Sequence, residues 1–245
     1  NDTKKVILII IFARYFLMMY RFFILFYLFF GFTTTNAQIH EVGVFLGGSN
    51  YIGEIGSTSY IAPNEPAFGV LYKWNKSPRH SWRASFTHAK ISASDADSDM
   101  TSRLERDYSF KNDINELSLG LEFNFLDFNL HDSDTRFTPY IYVGIDFLNY
   151  KGLYYDNGVA KTDTNYNSIA IPIGVGAKYR IANKLILGFE IRPNYSFADD
   201  LDGSNPKDED LNTLSFGNLN SNDWYVFTGF TLTYTFGNKP CYCTD

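Results

Sequence analysis

The sequence predicts an all-β fold of eight antiparallel strands closed into a transmembrane β-barrel. Three observations carry that prediction. Two-residue alternation of apolar and polar side chains recurs in eight segments, and helical periodicity is nearly absent. Each segment has about ten residues, the length a tilted strand needs to cross a bilayer. The connections alternate between long and short, the layout of an eight-stranded outer-membrane barrel with short periplasmic turns and long extracellular loops.

The first 37 residues stand apart. The chain begins with Asn1, and Met18 or Met19 is the expected start of translation. From there Arg21, an apolar run from Phe22 to Phe32 and the small-residue context Thr35-Asn36-Ala37 describe a secretory signal peptide cut after Ala37. A membrane anchor reaching back to Val6 is the competing reading, but Arg14 and Arg21 would interrupt it. The expected organisation is therefore a leader over residues 1–37, a barrel over 38–236 and a short periplasmic tail over 237–245. Removing the leader takes four bases and one acid from totals of 21 and 27, leaving a net charge of −9.

The alternation is explicit in each segment. Val42, Val44 and Leu46 oppose Glu41, Gly43 and Gly47 in the first. Phe68, Val70, Tyr72 and Trp74 oppose Gly69 and Lys73 in the second. Trp82, Ala84 and Phe86 oppose Arg83, Ser85 and Thr87 in the third. The fourth sets Leu117, Leu119, Leu121, Phe123 and Phe125 against Glu116, Ser118, Gly120, Glu122 and Asn124. The fifth sets Ile141, Val143, Ile145 and Phe147 against Tyr140, Tyr142, Gly144 and Asp146. Ile169, Ile171, Ile173 and Val175 oppose Gly174, Gly176, Lys178 and Arg180 in the sixth, and Leu185, Leu187, Phe189 and Ile191 oppose Gly188, Glu190 and Arg192 in the seventh. The eighth pairs Val226, Phe230, Leu232, Tyr234 and Phe236 with Gly229, Thr231, Thr233 and Thr235. Polar loops of roughly 17, 23, 16 and 27 residues follow the odd segments, and turns of roughly 7, 11 and 4 follow the even ones.

Alternation alone does not say which face is inside, so a soluble barrel of the lipocalin kind is the main rival. Size and charge decide between them. The apolar face carries nearly all the large residues, more than an eight-stranded lumen holds. The opposite face carries five acids (Glu41, Glu116, Glu122, Asp146, Glu190) and five bases (Lys73, Arg83, Lys178, Arg180, Arg192), a balance that suits a closed interior network. With Phe45, Leu71, Tyr140 and Tyr142 beside them, these side chains would plug the lumen, which excludes a general porin. Trp74 and Trp82 flank the first short turn, where amphipathic rings favour a membrane interface.

Chemistry is sparse. An acidic chain of net charge −6 is a poor nucleic-acid binder. The four histidines (His40, His80, His88, His131) show no pairing with Ser or Asp in the long loops that would build a triad, so no enzyme, cofactor or small-molecule substrate is expected. Cys241 and Cys243 lie in the tail, too close in sequence for an unstrained mutual disulfide. The last long loop holds Asp199, Asp200, Asp202, Asp208, Glu209 and Asp210. Its spacing does not match an EF-hand calcium loop, and it reads as a solvated acidic loop. The turn from Leu126 to Arg136 is the longest of the short ones. Its Asp127, His131, Asp132, Asp134 and Arg136 are polar handles that a tight hairpin does not need, and so are candidates for a periplasmic contact.

Several segments resemble PorG-like outer-membrane proteins of Bacteroidota. They are QIHEVGVFLGGSNYIGEI from Gln38 to Ile55, FTPYIYVG from Phe137 to Gly144, FADDLD from Phe197 to Asp202, and YVFTGFTLTYTFG from Tyr225 to Gly237. The resemblance implies a component of the type IX protein secretion machinery, which in some bacteria supports gliding. It implies an anchor or scaffold in the outer-membrane lipid for a periplasmic ring of PorK- and PorN-like proteins. A second function class stays in play: a free-standing barrel like the membrane domain of OmpA-type proteins, with an envelope-structural or adhesive role.

Overall fold

The computed structural model describes residues 39–130, 136–218 and 221–237. Its eight strands are β1 (Ile39–Ile52), β2 (Glu65–Asn75), β3 (His80–Ser94), β4 (Ser109–Asn124), β5 (Phe137–Asp156), β6 (Val159–Ala182), β7 (Leu185–Ser196) and β8 (Trp224–Phe236). They follow one another around a ring in sequence order, every neighbouring pair is antiparallel, and β1 closes on β8. Closure leaves the belt without an open edge, so the ladder satisfies its backbone groups internally there, as a membrane span requires, while the outer ends of β5 and β6 project beyond the ring as a two-stranded hairpin. Among the described residues no helix is long and apolar enough to cross a membrane. The leader, its cleavage site and the cysteine-bearing tail lie outside the described residues.

The alternation places the large apolar side chains outside. On β4, Leu117, Leu119 and Leu121 are exposed while Glu116, Ser118 and Glu122 are fully buried. The same holds on β1, β5 and β6, where Val42, Val44, Leu46, Val143, Ile145, Phe147, Ile171 and Ile173 all face outward. Water would penalise so continuous an apolar belt, and hydrocarbon would not. A lipocalin-like arrangement is excluded, because its lumen would hold these residues. The end of the belt near the short turns carries a girdle of rings. Trp74 and Trp82 are direct cross-strand partners, Tyr72 bonds His40 at 2.6 Å, and His40 stacks near Phe236.

Above His88, Asn115, Asn149 and Asn167 the two faces exchange character. The outside becomes polar, with Lys90, Lys111, Asp113 and Lys151, and Lys151 reaches Asp113 at 3.0 Å. The inside becomes apolar, with Ala89, Ile91, Phe110, Ile114, Leu148 and Tyr150 packed in one cluster with Phe45, Tyr225 and Phe227. This collar explains why β4 begins at Ser109 and not near Glu116. Its polar outer residues hide the alternation from a pattern that seeks apolar side chains outside.

The connections also differ from expectation. The third long loop does not exist as such. β5 and β6 run on for 20 and 24 residues and meet in a two-residue turn at Asn157-Gly158. Both turn residues have positive φ, 51° and 80°, the geometry of the primed turns that match strand twist, and an Asn-Gly pair adopts it readily. The loop after β3 is compact, with a 3₁₀ turn at Asp95–Asp97 and a short helix α1 at Thr101–Arg106.

Candidate functional site

Nine of the ten lumen charges expected from the sequence are buried together inside the barrel. Glu122 on β4 is gripped by two lysines, Lys73 from β2 and Lys178 from β6, each at 2.6 Å. Arg83 on β3 makes a bidentate pair with Glu190 on β7 at 2.6 and 2.9 Å, and Tyr140 donates to the same carboxylate at 2.9 Å. Arg192 pairs with Glu116, which also accepts from Tyr225 at 2.7 Å. Glu41 is held by neutral donors, Asn75 at 2.8 Å and Thr233 at 2.7 Å. Asp146 is fully buried on the same face. Glycines make room for these side chains. A Cβ on Gly176 would lie 2.5 Å from the Tyr140 ring.

Arg180 departs from that network. It is half-buried at the short-turn rim, where its guanidinium donates to the Asn129 carbonyl and lies 5.4 Å from the Phe128 ring centroid. The reason is its position near the end of β6, beyond the last lumen layer at Lys178.

The short-turn rim is itself a built surface. Phe128 is 3% exposed and sits beneath Lys178 and Arg180, so it closes that end of the lumen. Its backbone N–H donates to the Pro78 carbonyl, and Asn124 bonds the Pro78 and Arg79 carbonyls, joining two of the turns. Asp127 pairs with Arg79 on the exposed side, and Arg136 is exposed with its carbonyl accepting from Arg180 N–H at 2.8 Å. His131, Asp132 and Asp134 lie outside the described residues. Sequence reading missed Phe128, whose only signal was a lone aromatic residue in a turn rich in Asp and Asn.

At the opposite rim the acidic loop is not a solvated one. Ala198, Asp200, Leu201 and Asp202 are 0–1% exposed and fold over the barrel mouth, while Asp208, Glu209 and Asp210 remain exposed. Leu201 and Ala198 join the collar's apolar cluster, which draws the neighbouring acids inward. Asp200 accepts from Tyr150 at 2.6 Å and faces Lys207 at 3.2 Å. The three described histidines bond Tyr72, Ser77 and Asn115, and none of those partners is a carboxylate that would orient a base.

Fold and interior together define a small closed β-barrel with an apolar outer belt and a lumen packed with paired charges and aromatic rings. The chain belongs to the family of the domain of unknown function DUF6089, whose model matches residues 20–245. No curated protein sequence matches it as a relative. Among solved structures it is similar to Neisserial surface protein A (NspA), at 11% identity over 81% of this chain and 97% of that one, with a TM-score of 0.47. It is also similar to the N-terminal β-barrel domain of Pseudomonas aeruginosa OprF, at 12% identity, coverage of 82% and 98%, and a TM-score of 0.45. A major outer membrane protein from Thermus thermophilus is 16% identical over 82% of this chain and all of that one, with a TM-score of 0.46.

Proposed function

We propose that this protein is an outer-membrane barrel that anchors a periplasmic assembly through its short-turn rim, as the PorG-like component of type IX secretion machinery is thought to do. The observation that carries the reading is that rim's construction. A tight hairpin would suffice to join β4 and β5, yet the segment that follows β4 seats Phe128 under Lys178 and Arg180 at the end of the lumen, with Asp127, Arg79 and Arg136 exposed. A filled lumen leaves no route for transport, so the rims are the surfaces available for function. The partner class is a ring of PorK- and PorN-like proteins.

The test is capture of ring proteins from solubilised envelopes with the tagged protein, comparing wild type with an Arg79→Ala/Asp127→Ala double variant. Loss of ring proteins and of protein export in the variant, with the barrel still heat-modifiable on gels, is expected. Export unaffected by this change but lost on trimming residues 207–214 would defeat the anchor reading. A second reading, a free-standing barrel that displays its outer surface, is favoured by the β5–β6 hairpin, the longest in the ring. It predicts no ring proteins in the wild-type capture.

A further inference from the structure

Three carboxylates from separate stretches of chain converge under the folded outer loop. Glu54 follows β1, Asp202 lies in the β7–β8 loop, and Asp223 immediately precedes β8; one oxygen of each lies within 4.8 Å of the others. All three are buried, at 9%, 0% and 0% exposure. Their hydrogen bonds account for only some of their oxygens. Glu54 Oε1 accepts from Ser221 at 2.6 Å, Asp202 Oδ1 from the Ser204 N–H at 2.8 Å, and Asp223 Oδ2 from the Leu201 N–H at 2.9 Å. The Tyr51 hydroxyl donates to Asp223 Oδ1. Glu54 Oε2 and Asp202 Oδ2 are buried without a partner among the described residues.

Among the described residues no base forms an ion pair with this cluster, although Arg103 and Arg106 lie close enough to act on Glu54 and Asp202 through space. The nearby guanidinium groups are committed elsewhere, Arg103 to the Gly53 and Gly56 carbonyls and Arg106 to Asp95 and the Glu54 carbonyl. Burial, reinforced by the neighbouring carboxylates, raises all three carboxyls above their ordinary range, Asp202 to about 6. Gly53 lets the groups approach, since a Cβ there would lie 2.7 Å from an Asp223 oxygen.

We propose that Glu54, Asp202 and Asp223 form a calcium site that ties the β7–β8 loop to the end of β1 and the foot of β8. Every donor is a hard oxygen, three are carboxylates, and neither histidine nor cysteine takes part, which selects a hard cation over zinc or copper. Direct protein ligands in a dehydrated pocket suit Ca²⁺ better than Mg²⁺, which keeps several of its waters. The Asp199 carboxylate, with one buried oxygen also without a partner, borders the site and adds to its negative potential. Calcium would thus turn a self-repelling cluster into a clasp across three segments. The site is independent of any periplasmic partner.

The test uses the full chain purified in detergent, stripped with a chelator and titrated with Tb³⁺, whose luminescence is sensitised by tyrosine. Saturation at one equivalent, displacement by Ca²⁺ in preference to Mg²⁺, and calcium-dependent protection of residues 197–223 from protease are expected. Asp202→Asn and Glu54→Gln should each weaken binding by about tenfold or more, because each removes a charged ligand. Asp210→Asn, at an exposed acid of the same loop, should change nothing. Heat-modifiable migration reports whether each variant retains the barrel. Failure of the wild type to bind stoichiometrically at millimolar Ca²⁺, or binding that survives unchanged in both ligand variants, would overturn the proposal and leave a cluster neutralised by protons alone.

Discussion

At the scale of single residues, the lumen depends on charges that have no alternative partner in water. Glu122 is the sharpest case, because one carboxylate serves two buried ammonium groups. Glu122→Leu should cost about 3–5 kcal/mol, since removing one member of a buried pair leaves an uncompensated charge. Arg180→Leu at the half-exposed rim should cost much less. Thermal unfolding of the two variants in the same detergent checks the ranking, and equal losses would mean that the lumen charges do not act as a network. The residue types of this network were legible in the sequence because parity alone assigns them to one face. Their pairing was not, since Arg83–Glu190 and Arg192–Glu116 join strands distant in the chain.

For the strands and their connections, the membrane belt obeys a two-residue rule that a sequence displays openly, and the collar does not. The pattern of β4 from Glu116 onward announces itself. Its first seven residues, Ser109–Asn115, pair with the end of β3 while carrying Lys111 and Asp113 outside, so they look like loop. The Asn157-Gly158 turn was available as a signal, but flanking polar residues in β6 concealed the strand that follows it. Two predictions belong here. Leu121→Arg, at the centre of the β4 belt, should destabilise the membrane-inserted barrel by ~2–4 kcal/mol, whereas Lys111→Leu in the collar should not; refolding into lipid vesicles measures both. Gly158→Val should loosen the hairpin tip by about 1–2 kcal/mol, because a left-handed conformation is costly with a β-branched side chain. Faster amide exchange confined to the ends of β5 and β6 is the expected readout.

For the whole molecule, ring closure and an outward apolar belt make lipid the solvent that satisfies the belt, while the polar collar and rims require water. The protein should fractionate with outer-membrane material extracted by detergent; recovery as a soluble monomer would contradict the belt's reading. The candidate rim was only half legible. Its polar residues were visible in the sequence, whereas the folding of Phe128 into the lumen depends on Lys178 and Arg180, supplied by a strand more than forty residues away. The burial of the acidic loop was hidden for a similar reason. Leu201 finds its place in a collar whose walls come from β1, β3, β4 and β5.

The exchange of faces between belt and collar gives the barrel a waterline. Along β4 and the residue that follows it, the lipid-facing run from Leu117 to Phe125 covers nine residues, on the order of 20 Å for a tilted strand and so somewhat short of a typical hydrocarbon core. A belt of that height suits a bilayer thinner than average, as the bacterial outer membrane is. Sinking by one more pair of residues would carry His88 and Asn115 below the surface, and a further pair would bring in Lys90 and Asp113. A protein moored in this way resists displacement along the membrane normal. Force applied at the short-turn rim is passed into the surrounding sheet of lipid, which is the mechanical property a mooring point for a periplasmic machine would need.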